Sequence, residues 1–298
     1  MAFAEELAPP RSDVRKRARP FLKPKIVFGG SIVLVLLFMG AFAPLISPFN
    51  PNTQDLNIVL RAPQWLSGPY VLGTDQLGRD VLSRIFYGAR ISLIIGLGVA
   101  VLSGVIGITL GAVSGFYAGK IDLLIQKAVE VMWAFPPLLF AIALIAFLGQ
   151  SLHILVIALV LQRWIPFCRV ARAQALSLRS RDFVDAARAL GATNARILRK
   201  NIVPNLIQTS IVIGTFAMAT AIISEASLSF LGLGVPRHIP TWGSMLADAR
   251  AHISTSWWLP LFPGLFILTT VLGINLLGDG LRDVLDPRLS RVGLKSER

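Results

Sequence analysis

The chain has 298 residues, of which 54% are hydrophobic and only 15% carry a charge. A soluble globular domain is about 45–50% apolar and about 25% charged, so this composition excludes an ordinary soluble enzyme or binding module. The formal net charge of +13 does not indicate a nucleic-acid-binding protein, because the basic residues concentrate in segments outside the apolar blocks. We therefore interpret the chain as an integral membrane protein.

Six apolar stretches are each about 20 residues long, as needed to cross a hydrocarbon core about 30 Å thick. They predict an all-α fold with six transmembrane helices, at 26–46, 91–116, 124–148, 152–167, 206–231 and 258–277. We expect the third to bend at Pro136 and Pro137, because proline lacks a backbone donor. A bent helix suits the lining of a moving pathway, which makes Pro136 a pathway candidate.

Small residues on the second and fifth stretches predict tight helix packing, because they let backbones approach closely in lipid. They are Gly104, Gly107 and Gly111 on the second stretch, and Ala217, Ala219, Ala221 and Ala226 on the fifth. No internal repeat of the kind found in many secondary transporters is evident in the sequence.

The basic residues predict the topology. Seven precede the first stretch, eight lie between the fourth and fifth, and five follow the last. The positive-inside rule places these three segments, and both termini, in the cytoplasm. The predicted organisation is listed along the chain as an N-terminal tail (1–25), a transmembrane domain (26–278) with external loops (47–90 and 232–257) and a cytoplasmic loop (168–205), and a C-terminal tail (279–298).

Two charged groups flank the apolar stretches. One is expected to form ion pairs on the outer surface, where a structural role is favoured over contact with substrate because such surface pairs are weak: Asp75, Arg79, Asp80 and Arg84. The other follows the last stretch at the inner surface, and its members can pair within the chain or with a partner: Asp279, Arg282, Asp283 and Asp286.

The chain carries no recognisable catalytic motif. The phosphate-binding pattern G-x-x-x-x-G-K-[ST] fails at Gly119-Lys120, because Ser114 and Ile121 occupy two required positions. The single Cys168 excludes an internal disulfide. The three histidines, which are not spaced as metal ligands, are His153, His238 and His252. We expect no catalysis, metal or cofactor on this chain.

Glu225 is the one carboxylate well inside an apolar stretch. The favoured interpretation is a buried, hydrogen-bonded acid or a helix-end residue near the outer interface. A role along a substrate pathway is the alternative. One carboxylate is not the pattern of a proton relay, and Lys127 and Glu130 can pair on one helix face.

The charged segment 182–204 is longer than a simple turn requires. Asp182 is predicted to cap a helix, Asp185 to lie in its first turn, and Gly191 to end it in a left-handed conformation. Thr193 or Asn194 is predicted to cap the next helix. One face of the first helix collects apolar side chains at helical spacing: Phe183, Ala186, Ala187 and Leu190.

Three interpretations of this segment compete. DNA binding is disfavoured by the short leads to membrane spans on both sides. An amphipathic helix on anionic lipid is the second. Docking onto a cytoplasmic partner is favoured, because the small Ala186 and Ala187 let another surface approach closely.

At this point the segment resembles a known family. Asp185-Ala186-Ala187, Gly191, Ile202 and Pro204 resemble the E-A-A…G…I-x-L-P loop of permeases in binding-protein-dependent ABC importers. Aspartate replaces the usual glutamate, and Val203 replaces leucine. In that family the loop docks into a cleft of the ATP-hydrolysing subunit, which implies a coupling helix carrying Phe183, Asp185, Ala186, Ala187, Leu190 and Gly191.

Further stretches narrow the resemblance. Those at 72–93, 134–144, 224–236 and 275–289 are similar to the second permease subunit of dipeptide, oligopeptide and nickel importers. Arg237-His238 departs from a Pro-Pro pair that is frequent in that family.

The resemblance implies an ABC type I importer permease fold in a bacterial inner membrane. It also implies a heterodimer with a second permease, two ATP-binding subunits that hold ATP-Mg, and an extracytoplasmic substrate-binding protein. Short peptides are the expected cargo, with nickel chelates, glutathione-like compounds or oligosaccharides as alternatives. An autonomous ion-coupled transporter or channel, and a membrane scaffold or sensor, are the competing classes.

Overall fold

The computed structural model describes residues 23–65 and 67–285, and the regular structure of this part is helical. The predicted N-terminal tail lies almost wholly outside these residues, as does the part of the predicted C-terminal tail from Asp286 onward, whereas residues 279–285 of that tail belong to the last helix. The α-helices in chain order are α1 (Pro24–Ala41), α2 (Ala43–Ile46), α3 (Val81–Tyr117), α4 (Gly119–Trp133), α5 (Pro137–Leu148), α6 (Leu152–Leu178), α7 (Asp182–Ala189), α8 (Asn194–Ile197), α9 (Val203–Phe230), α10 (Trp242–Ala249) and α11 (Trp258–Leu285).

The number of spans agrees with the prediction. Within the described residues, five helices are long and apolar enough to cross a membrane, and the count reaches the predicted six when the bent pair α4–α5 is taken as one span. α3 has 37 residues and is about 55 Å long, so it extends beyond a hydrocarbon core. It begins at Val81, earlier than predicted. The prediction missed the first turns because the charged Arg84 and Arg90 interrupt their apolar residues.

The predicted break in the third span is confirmed. α4 ends at Trp133, α5 begins at Pro137, and the two axes meet at 84°. Pro137 occupies the first turn of α5, where a missing backbone N–H costs nothing. Pro136 is the residue that precedes α5, and it is exposed.

The predicted tight packing is confirmed at two of the three glycines of α3, whereas a Cβ at Gly104 would make only ordinary contact with the Phe167 ring. Gly107 and Gly111 of α3 approach α6 so closely that an added Cβ would overlap the carbonyl oxygens of Trp164 and Cys168. The alanines of α9 are buried: Ala217, Ala219, Ala221 and Ala226. Close backbone contact between helices therefore holds the centre of the bundle together.

The buried core is divided along α3. Near its first turn, which we call the Ile85 end, Trp242 of α10 is fully buried and donates from Nε1 to the Ile85 carbonyl at 3.2 Å. Near its last turn, which we call the Phe116 end, Phe116 packs with residues of α6, α7 and α9. The charged helix α7 lies at the Phe116 end, and the buried carboxylate Glu225 lies at the Ile85 end.

The end of α11 is tied to the start of α1. Asp283 accepts from Lys25 at 3.3 Å, and its backbone carbonyl accepts from Lys23 at 2.8 Å. At this position, the two alternatives for the terminal charges resolve in favour of pairing within the chain.

Candidate docking surface

α7 begins one residue earlier than predicted. Asp182 is the first helical residue, and Arg181 is the N-cap, with no side-chain capping bond. The prediction that Asp182 caps the helix is therefore wrong. α6 continues to Leu178 and leaves only a short connection to α7. Arg181, the last residue of this connection, has an extended backbone and therefore takes the N-cap position. Asp182 and Asp185 still complement the helix dipole from the first turn.

The end of α7 confirms the predicted role of Gly191. Its φ is +77°, and its N–H donates to the Arg188 carbonyl at 2.9 Å. The N–H of Ala192 donates to the Ala187 carbonyl at 3.0 Å, which completes a Schellman motif. No heavy atom lies within 4 Å of a Cβ added at Gly191, so backbone conformation, rather than crowding, requires glycine there.

α7 has one face toward its own chain and one face away from it. Val184 is fully buried and Ala187 is partly buried, both packed in the cluster that contains Phe116, Ala171, Ala175 and Leu206. Phe183 is 41% exposed and Leu190 is 88% exposed. The predicted four-residue face is therefore divided: Phe183, Ala186 and Leu190 are open, whereas Ala187 turns inward.

We call the open face the α7 stripe, and it consists of Phe183, Ala186 and Leu190. Its charged flank is an exposed ion pair in which Arg188 lies 3.2 Å from Asp185. Sequence reasoning missed Val184 as the anchor, because Val184 and Phe183 are adjacent apolar residues and either could have faced the core.

The helix after α7 is capped by Thr193, one of the two predicted candidates. Its hydroxyl accepts from the Arg196 N–H at 3.4 Å. A π-helical segment, Leu198–Ile202, then joins α8 to α9. Ile197 and Ile202 are fully buried, whereas the basic side chains remain exposed on the opposite side: Arg196, Arg199 and Lys200.

The pathway candidate Glu225 is buried at the Ile85 end. Its Oε1 accepts from the hydroxyls of Ser229 at 2.7 Å and Thr241 at 2.8 Å. Thr241 is also the N-cap of α10 and forms a capping box with Ser244. Glu225 therefore fastens α10 to α9. It lies far along α9 from the π-helical segment, and the structure does not bring it beside Pro136.

The charged residues expected on the outer surface are buried instead. Arg79 donates to Asp75 at 2.6 Å and to Asp248 of α10 at 2.9 Å. Arg84 is only 1% exposed and lies 3.6 Å from each of these carboxylates. The prediction of weak surface pairs is wrong because α10 covers the start of α3, and the partner Asp248 was missed.

Asp80, also predicted to be ion-paired, caps α3 by accepting from the Ser83 N–H at 2.7 Å. Burial raises the pKa of its carboxyl above the ordinary value, and the hydrogen bonds from Ser83 oppose this shift.

Comparisons with known proteins agree on one family. The family described as "Binding-protein-dependent transport system inner membrane component" matches residues 107–291. A second family, described as "N-terminal TM domain of oligopeptide transport permease C", matches residues 18–63.

Curated relatives match over nearly the whole chain. A di/tripeptide transport system permease protein of Pseudomonas aeruginosa (strain UCBPP-PA14) is 42% identical over 282 residues, which are 93% of each chain. An oligopeptide transport system permease protein of Bacillus subtilis (strain 168) is 40% identical over 272 residues, covering 91% of this chain and 88% of the relative.

Among solved structures, a chain of the MetNI methionine ABC transporter in an inward-facing conformation is similar with a TM-score of 0.57. The match covers 68% of this chain and 97% of the other, at 18% identity. At this identity the likeness concerns the fold.

Proposed function

This chain belongs to the family of binding-protein-dependent transport system inner membrane components, and we propose that it forms, with a second permease subunit, the translocation pathway of an ATP-driven importer for short peptides. Its helices have the ABC type I importer permease fold. The names of the relatives, which describe di/tripeptide and oligopeptide transport, support peptides over nickel chelates, glutathione-like compounds or oligosaccharides as the cargo.

The observation that carries the proposal is the α7 stripe. Phe183 and Leu190 expose apolar surface on a helix whose opposite face is locked to the bundle by Val184. A rigid helix with an open apolar stripe and a small residue, Ala186, between its ends fits a complementary cleft on another protein. We assign this cleft to one of the two ATP-binding subunits of the importer. These two subunits hold the ATP-Mg, and no cofactor is assigned to this chain.

The orientation follows from charge. The exposed basic residues beside α7 are Arg196, Arg199 and Lys200. Lys23 and Lys25, at the start of α1, lie on the same side and are bonded to Asp283 near the end of α11. By the positive-inside rule, the Phe116 end faces the cytoplasm of a bacterial cell and the Ile85 end faces outward, toward a substrate-binding protein.

Transport then requires that nucleotide favour one conformation of the permease over another. ATP binding draws the two ATPase subunits together, and the docked α7 carries this movement into α6 and α3, against which it packs. The pathway between the two permease subunits thereby alternates between the two faces of the membrane. Selection of the peptide rests mainly with the binding protein.

Reconstitution tests this function. Proteoliposomes that contain this chain, a second permease and both ATPase subunits are loaded with ATP and supplied with a binding protein and a labelled tripeptide. We expect uptake that depends on ATP and on the binding protein. Flux through the purified chain alone, driven by a proton or sodium gradient, would instead establish an ion-coupled transporter, and an absence of flux in both arms would favour a scaffold or sensor.

A further inference from the structure

Arg172 of α6 holds Asp122, in the first turn of α4, through two hydrogen bonds. Nε donates to Oδ1 at 2.6 Å and Nη2 donates to Oδ2 at 2.7 Å. Ser114 of α3 donates to the same Oδ1 at 2.5 Å, and Gln126 donates to the Ser114 hydroxyl at 3.1 Å. Because a bidentate arginine–carboxylate pair fixes orientation as well as distance, the start of α4 has one position relative to α6.

Arg169, one turn earlier on α6, holds the other end of α4. Its guanidinium carbon lies 3.3 Å from the ring centroid of Trp133, the last residue of α4. Between these two contacts, Val129 is fully buried beside Ile165 and Cys168 of α6. α4 is thus attached to the second half of α6 at three points, through Asp122, Val129 and Trp133.

The other half of the bent span is attached elsewhere. Ala141 and Ile145 of α5 pack with Leu155 in the first turn of α6. Just beyond α5, Gln150 donates to the backbone carbonyl of Gly232, which follows α9, at 2.7 Å. α4 is therefore anchored toward the Phe116 end and α5 toward the Ile85 end, with the 84° bend between them.

The part of α6 that holds α4 is also the part that contacts α7. Ala171 and Ala175 pack with Val184 in one cluster, and α6 ends at Leu178, just before α7 begins at Asp182. A Cβ at Gly115 of α3 would overlap the Arg172 carbonyl oxygen. Movement of α7 therefore reaches α6 on both sides of Arg172, through the packing of Val184 with Ala171 and Ala175.

We propose that Arg169 and Arg172 are positioning residues that transmit the movement of α7 to the bend at 134–136, so that α4 pivots against α5 during transport. This inference rests on the proposed function, because it takes the docked ATPases as the source of the movement. The residues of the bend lie between two anchored helices and include a proline, so they are suited to absorb such a change of angle.

The size of the pivot can be estimated. Leu124 is separated from the bend by about 15 Å of helix. A rotation of about 15° therefore displaces it by about 4 Å, on the scale of known domain rotations.

Spin labels at Leu124 and Phe147 measure this pivot, since the two side chains are 73% and 89% exposed. The single cysteine, Cys168, is first replaced by alanine, and the partner subunits are made cysteine-free. Pulsed electron paramagnetic resonance gives the interspin distance in the assembled complex without nucleotide and after vanadate trapping. Because only part of this displacement lies along the line between the two labels, we expect the interspin distance to shift by about 3 Å. We expect the Arg169→Gln/Arg172→Gln variant, which still traps vanadate, to lose this shift.

Each outcome decides a separate claim. An unchanged distance in the labelled complex during vanadate trapping overturns the inference, as does a full shift in the double variant. A complex that neither binds its ATPases nor traps vanadate contradicts the proposed function instead. Should the double variant fail to assemble, Asp122→Asn is tested by the same criteria. Lys127→Gln, which breaks only the exposed pair with Glu130 on the same helix, is the matched control and is expected to keep the shift.

Discussion

Arg79 donates from Nη2 to Oδ2 of Asp248 across 2.9 Å, although 169 positions separate the two residues along the chain. The contact joins the segment before α3 to α10, and Arg84 approaches the same carboxylate at 3.6 Å. Because all these charges are buried or nearly so, each depends on its partners for the interactions that water otherwise provides.

Asp248→Ala leaves Arg79 and Arg84 buried with one carboxylate fewer, and breaking a buried pair in this way costs about 3–5 kcal/mol. We expect a clear fall in the melting temperature of the detergent-solubilised protein, followed by tryptophan fluorescence. Glu130→Gln, which breaks the exposed pair with Lys127, is the control and is expected to leave the melting temperature unchanged. Equal effects of the two substitutions would contradict the assignment.

Glu225 is predicted to act as a hydrogen-bond acceptor that anchors α10. Glu225→Gln keeps an acceptor for Ser229 and Thr241, so uptake and stability should change little. Glu225→Ala leaves both buried hydroxyls without this partner and should cost about 2 kcal/mol. Loss of peptide uptake in a stable Glu225→Gln variant favours the alternative of a pathway role for the carboxyl group.

Gly191 is predicted to shape the end of α7 through its backbone alone. Gly191→Pro removes the N–H that bonds to Arg188 and forces φ from +77° to about −65°. We expect uptake and binding-protein-stimulated ATP hydrolysis to become uncoupled, with membrane insertion intact. Gly191→Asn, which tolerates the left-handed region, is the matched variant and should retain most uptake. Normal uptake by the proline variant at normal protein levels rejects the coupling assignment.

The two faces of α7 should respond differently to the same substitution. Leu190→Asp changes an 88% exposed side chain, so the protein should fold normally but retain less ATPase subunit on co-purification, by roughly tenfold for a loss of about 1.4 kcal/mol. Val184→Asp buries an unpaired carboxylate and should lower stability and expression. Unchanged ATPase retention in the Leu190 variant argues that this residue lies outside the docking surface.

Features determined by neighbouring residues could be predicted from the sequence. The bend at Pro136 and Pro137, the left-handed Gly191 and the packing of Gly107 and Gly111 all follow from local chemistry: a missing donor, a missing Cβ and small size. Each of these predictions is confirmed.

Features that depend on distant contacts could not. Asp248 as the partner of Arg79 becomes visible only once α10 lies on α3. The direction of Val184 was undetermined, because adjacent apolar residues on a helix point about 100° apart and either can face the core. The start of α3 was hidden by Arg84, whose charge is neutralised by tertiary contacts that the sequence does not reveal.

Photo-cross-linking at position 190 tests the central claim most directly. A photoreactive amino acid replaces Leu190 in the assembled importer, and the adducts formed on irradiation are identified by mass spectrometry. A second sample carries the same group at Leu124, an exposed residue of α4, as the control. We predict that the photoreactive group at position 190 forms an adduct with the ATP-binding subunit and that the group at position 124 does not. Adducts at position 190 with lipid alone would contradict docking and show that α7 lies on the membrane surface.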